Sequence, residues 1–105
     1  MIENKKALSE TNVITALSTL KGKWIIPILI QICAGNIHFG TLLRSVPNIN
    51  PRSLAHSLKF LENEGVLQKE DCHTIPPKFA YHLTPKGNAL KPILHALDDW
   101  TNDYH

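Results

Sequence analysis

The sequence predicts a mainly α-helical domain with one small antiparallel β-hairpin. Three observations lead there. Apolar residues recur at helical spacing over most of the chain. Asn-Pro and Glu-Gly pairs bracket a central helix, and the two strand-like stretches, 66–73 and 79–84, flank a proline-rich turn. The 105 residues suit one domain, 1–105. With 43% hydrophobic and 19% charged residues, the chain is expected to be neither disordered nor membrane-spanning.

The first helix is expected over 11–20, where Val13, Ile14, Leu17 and Leu20 fall at helical spacing before the Lys21-Gly22 stop. A second follows over 23–33. It is apolar on nearly every side, which reads as the central core helix. Pro27 is tolerated there only if the helix starts nearby or kinks in its first turn. Ala34-Gly35-Asn36 ends it, and Ile37-His38-Phe39 reads as a short extended piece. A short helix over 40–46 turns Leu42 and Leu43 inward.

After the turn Pro47-Asn48-Ile49-Asn50, Asn50 is placed as the N-cap and Pro51 at the first helical position. That helix runs over 51–64, and Gly65 supplies a left-handed C-cap. In the second strand Phe79, Tyr81 and Leu83 alternate against Ala80 and His82. Pro76 and Pro77 keep the intervening turn out of any central strand, because proline donates no ladder bond. Thr84-Pro85 opens the last helix, whose apolar stripe is Leu90, Ile93, Leu94, Leu97, Trp100 and Tyr104. Helix, turn and helix over 39–65, then a hairpin over 66–84, is the winged helix-turn-helix order.

The helix from Pro51 has more polar structure than a core seam requires. With Leu54 at zero on a wheel of about 100° per residue, Leu58 and Leu61 fall within roughly 40° of it. Arg52, His56, Lys59 and Asn63 fall on the opposite side. Arg and Asn can make bidentate contacts to guanine and adenine, and His and Lys can donate to bases or phosphates. A recognition helix presents its N-terminal residues to base edges, so Arg52, Ser53 and His56 are the base-reading candidates, with Asn50 at the helix start beside them. Lys59 suits a phosphate, and Ser53 and Ser57 flank the strip as small residues that permit close approach. A solvated polar face is the plainer alternative, made less attractive by the preceding helix, the turn and the hairpin. At the hairpin tip, Lys78 either reaches the DNA backbone or minor groove, held out by Pro76-Pro77, or the prolines are only turn chemistry. Lys69 and His73 are lesser candidates of the same kind.

The net charge of +2 does not by itself demand nucleic acid. Cys33 and Cys72 have no CxxC spacing and are expected to stay reduced in a cytoplasmic chain, as the lack of an apolar leader in MIENKKALSE suggests. Cys33 is expected as a small buried hydrophobe, while Cys72 could be exposed and oxidisable. The six histidines are scattered without metal-ligand spacing, and no cofactor is expected. No nucleophile–base set or phosphate loop is legible, and adjacent Asp98 and Asp99 point apart on a helix, so catalysis is not expected.

The phrases LKGKWIIPILIQI, HFGTLLRSVPNINPRSLAHSLKFLENEGVLQKE, PPKFAYHLTPKGNAL and LDDW together resemble the HxlR-type winged helix-turn-helix regulators of bacteria, relatives of the MarR group. The likeness covers nearly all of 17–100. It implies a homodimeric DNA-binding transcription factor built through its first and last helices, 11–22 and 85–105. It also implies that the helix from Pro51 enters the major groove with the 74–78 tip alongside. His38 stands where the family has a basic residue before Phe39 and is kept as a DNA-contact candidate. Thiol-sensing members carry a cysteine near the start of the first long helix; Thr11 and Asn12 stand there, so a redox role is not carried over. Pro27 also departs from the family pattern.

The residues themselves also favour a dimer. Two long apolar stripes exceed what one small core can cover, so Val13, Leu17, Leu94, Leu97, Trp100 and Tyr104 are expected at an interface between two copies. Trp24, Trp100 and Tyr104 are interface or core anchors, or else line a pocket for a small-molecule effector. The expected partners are double-stranded DNA and a second copy, with no membrane. The alternative is a winged-helix module that docks proteins and not DNA.

Overall fold

In a computed structural model that describes residues 7–105, the elements run α1 (Glu10–Leu20), α2 (Ile25–Cys33), α3 (Phe39–Ser45), α4 (Pro51–Asn63), β1 (Leu67–Asp71), β2 (Phe79–Leu83), α5 (Pro85–Asn88) and α6 (Leu90–Tyr104). The reading of the chain's first residues, 1–6, lies outside this description. Mostly helical, with a single two-stranded sheet, the fold is that of a winged helix.

Local chemistry sets most of the boundaries. Ser9 caps α1, its Oγ accepting from the Asn12 N–H over 3.2 Å. Pro27 is the third residue of α2, where the missing N–H has no intrahelical acceptor to lose. Asn50 caps α4 through its side-chain oxygen, with Pro51 next. At the other end of α4 the Val66 N–H bonds Leu61 O over 2.9 Å and the Gly65 N–H bonds Glu62 O over 3.0 Å. Gly65 has φ +75°, a Schellman stop that only glycine adopts without strain. The last helix is broken near Ala89: Thr84 caps the short α5 by accepting from the Gly87 N–H over 3.1 Å, and α6 begins afresh at Leu90.

The core gathers Ile25, Ile28, Leu29 and Ile32 of α2, Leu42 of α3, Leu54, Leu58 and Leu61 of α4, and Val66, Leu67 and Tyr81 of the hairpin. Each fully buried leucine contributes about 1.5–3 kcal/mol. Gly87 is wedged so tightly that an added Cβ would collide with the Val66 carbonyl, which seats α5 directly on the start of the hairpin.

β1 and β2 pair antiparallel, with Lys69 opposite Tyr81. The extended piece expected at 37–39 is a single bridge, His38 to Ala80, on the free edge of β2, supported by the Tyr81 N–H donating to Ile37 O over 2.7 Å. Strict alternation of β2 fails at Ala80, which is buried alongside Tyr81 because this third segment closes over it.

Two expectations are corrected. α2 is not apolar-buried all round: Ile30 and Cys33, three residues apart, share an outer face and are exposed. Cys33 is therefore not the buried hydrophobe expected of it, because the core reaches only the other side of α2. α1 buries only Leu20, and α6 buries none of its residues completely. The radius of gyration is 15.4 Å, against about 13 Å for a compact domain of this length. The excess reflects α1 and α6 standing away from the core. Among the described residues no single helix is long and apolar enough to cross a membrane.

Candidate nucleic-acid interface

α4 is anchored by Leu54, Leu58 and Leu61, all at 0–1% exposure. Its periodicity then forces Arg52, His56, Lys59 and Asn63 outward, and all four are exposed. Ser53 is half-buried at the edge of this strip.

Ser57 is a correction. It was grouped with the DNA-contacting strip, yet it is only 7% exposed. Its wheel position explains this: at three residues per step from Leu54 and four from Leu61, it falls about 40° from Leu61 and so on the buried side. It lies on the side of α4 that faces the turn leading into α2, with Lys21, Gly22 and Trp24 around the same groove.

Asn50 is exposed, but its side-chain oxygen is already used: Oδ1 accepts from the Ser53 N–H over 2.8 Å. Only the amide Nδ2 is left to reach outward. His38 is half-buried at the start of α3, with Nδ1 3.4 Å from the Phe79 carbonyl, a long contact.

The hairpin tip is shaped by local bonds. The Thr74 hydroxyl donates to Pro76 O over 2.9 Å, and the Cys72 N–H donates to Lys78 O over 2.9 Å. Lys78 is exposed and Ile75 fully so. The other two hairpin candidates are engaged within the hairpin. Lys69 Nζ lies 4.2 Å from the Phe79 ring centroid, and His73 turns back on Asp71, whose Oδ1 accepts the His73 N–H over 2.8 Å. The outer hairpin face also pairs His82 Nε2 with Glu70 Oε1 at 2.8 Å, and the side chain of the exposed Lys78 takes part in none of these contacts. Cys72 is half-buried.

A groove of about 600 Å³ between α3 and the tip brings together His38, Thr41, Arg44 and Lys78. Arg44 and Thr41 were not anticipated. Arg44 lies four residues after Gly40 and three after Thr41 on the face of α3 opposite Leu42, so the spacing could have flagged it. Its Nη1 would be 3.5 Å from a Cβ placed at Gly40, which puts the guanidinium along the open side of α3.

The proposed interface residues fall on a separate surface. Val13 and Leu17 on α1 and Leu97, Trp100 and Tyr104 on α6 are exposed, Trp100 at 59% and Tyr104 at 78%. Leu94 is half-buried against the chain's own core, beside a groove of about 510 Å³ lined by Ile30, Cys33 and His95. Among the described residues no three His, Cys, Asp or Glu side chains gather as a metal site.

Comparison with known proteins agrees with this geometry. A family model described as HxlR-like helix-turn-helix matches residues 19–105. The chain is 34% identical over 89 residues to the HTH-type transcriptional regulator YvaP of Bacillus subtilis, covering 85% of this chain and 82% of that protein. It is similar in structure to a MarR-family transcriptional regulator from Enterococcus faecalis V583, with a TM-score of 0.86 at 30% identity over 98% of this chain and 94% of the other. The reduced form of the redox regulator HypR superposes with a TM-score of 0.80 at 32% identity, covering 88% and 91% of the two chains.

Proposed function

The chain belongs to the HxlR-like helix-turn-helix family of transcriptional regulators, and on that premise we propose that it binds a pseudo-palindromic operator as a homodimer. The observation that carries the reading is the division of α4: leucines buried at 0–1% exposure on one side, Arg52, His56 and Lys59 free on the other. In this reading Arg52, Ser53 and His56 meet base edges. Lys59, Lys78, His38 and the Asn50 amide hold phosphates or sugars, which fix register without reading sequence. Arg44 joins the phosphate contacts from α3.

The exposed apolar seams of α1 and α6 support the dimer. A two-fold pairing of these seams would set two α4 helices against half-sites about 34 Å apart. It would also remove from water the largest apolar side chains the single chain leaves exposed.

Selection of bound sequences from random duplex DNA tests the whole reading. A dyad-symmetric site with half-sites one helical turn apart is expected, bound with an affinity that falls steeply as salt is added. Failure to enrich any sequence, together with salt-insensitive affinity, would remove DNA as the partner and leave the protein-docking alternative.

A further inference from the structure

The turn joining α1 to α2, Lys21-Gly22-Lys23-Trp24, takes no part in the interface described so far. The two helices meet at 80° across it. It is held close: the Ile25 N–H donates to Gly22 O over 3.1 Å, and a Cβ at Gly22 would come 2.9 Å from Ile25 Cγ1. Lys21 and Lys23 are both exposed, and the Lys23 ammonium stands 4.9 Å from the Trp24 ring centroid. Among the described residues, the ion pairs join histidines to acids and include neither lysine.

The turn lies directly beside α4. Lys21, Lys23 and Trp24 share a groove of about 300 Å³ with His56, Ser57 and Phe60. His56 belongs to the outward strip of α4, so the two ammonium groups flank the surface assigned to the major groove. The groove holding Arg44 and Lys78 shares no residue with this one. That groove contains no residue of α4, so Lys21 and Lys23 are a separate set of cations, placed beside the strip through His56. A helix lying in a major groove has phosphates along its flanks, and an unpaired cation there displaces counterions from the duplex.

We propose that Lys21 and Lys23 form a phosphate clamp, binding backbone phosphodiester oxygens next to the bases that α4 reads. This rests on the DNA-binding reading above. Trp24 holds the Lys23 ammonium through its ring face, which reduces the freedom lost on contact. Gly22 lets the turn sit close enough to α2 to bring both cations beside His56. Being phosphate contacts, the two lysines carry affinity and register and no base preference.

Anisotropy titrations of the full chain over a range of salt concentrations test this. The probes are the duplex recovered by selection and an unrelated duplex of the same length. Lys21→Gln and Lys23→Gln should each lower the slope of log affinity against log salt by about 0.9, equally on both duplexes, and leave the preference between them unchanged. Lys23→Arg should keep the unsubstituted slope. Unsubstituted slopes for both glutamine variants, on a duplex the unsubstituted protein binds, would overturn the clamp and leave the DNA-binding reading intact. Salt-insensitive affinity of the unsubstituted protein for both probes would overturn the DNA-binding reading itself. Lysine acetylation footprinting of the unsubstituted protein gives an answer that needs no variant to fold. Addition of the selected duplex should protect Lys21 and Lys23, and unchanged reactivity of both would overturn the proposal.

Discussion

The Thr19 hydroxyl reaches Glu64 Oε1 over 3.2 Å, joining the end of α1 to the end of α4 across 45 residues of sequence. Glu64 is a junction, because its backbone oxygen also accepts from Lys86 Nζ over 2.6 Å. Leu20 is the only buried residue of α1, so this bond is one of few features that orient the helix against the body. Thr19→Val keeps the shape and removes the donor. It should cost about 1 kcal/mol in denaturant unfolding and speed amide exchange along α1. Unchanged exchange in α1 would show that Leu20 alone orients it.

The Asn50 cap gives a second test. Asn50→Ala should lower stability by about 1 kcal/mol, whereas Asn50→Asp, which still accepts the Ser53 amide proton, should retain most of it. Equal losses in the two variants, read from thermal or denaturant midpoints, would contradict the capping role.

Tyr81 makes stability sensitive to alkali. Burial, and then the nearby Glu62 carboxylate, raise its phenol above the ordinary 10.0. The folded protein therefore holds this proton more tightly than the unfolded chain does. The stability it contributes is full below the unfolded value of 10.0 and is lost as pH climbs through the higher folded value. Denaturant midpoints should fall as pH passes 10.0, and Tyr81→Phe should flatten that fall.

On DNA, Arg52 and Lys78 should behave differently. Arg52→Ala should cost about 1–3 kcal/mol at one base position and relax specificity there. Lys78→Ala should weaken binding to all sequences alike and reduce the salt slope by about 0.9. Identical effects of the two changes on a panel of single-base variants would dismiss the division between reading and holding.

The seam on α1 and α6 can be tested without DNA. Leu17→Glu or Trp100→Glu places a charge on a surface already exposed in the single chain, so the fold should survive. Sedimentation should shift from dimer to monomer, and far-ultraviolet circular dichroism should hold its shape. A variant that sediments like the unsubstituted protein would exclude that residue from the interface.

Much of this was legible in the chain because it depends on neighbours a few residues apart. Asn50-Pro51 and Glu64-Gly65 bound α4 through caps and φ angles, and the leucine spacing dictates which side of α4 faces out. Those are properties of local geometry, and a period of 3.6 residues carries them directly. What periodicity could not decide is how much of each apolar face the rest of the chain covers. α2 reads as buried on every side, yet Ile30 and Cys33 are exposed because no element packs over them. Ser57 reads as a small polar residue beside a DNA-facing strip, yet it is buried at 7% exposure on the side of α4 facing the turn before α2. The pairing of Arg44 with Lys78 in one groove, and of Lys21 and Lys23 with His56 in another, joins residues more than thirty positions apart. Short-range pattern therefore determined the helices, their caps and the outward side of α4. Long-range packing alone decided which polar groups share a surface, because only the folded chain brings distant segments within reach of one another.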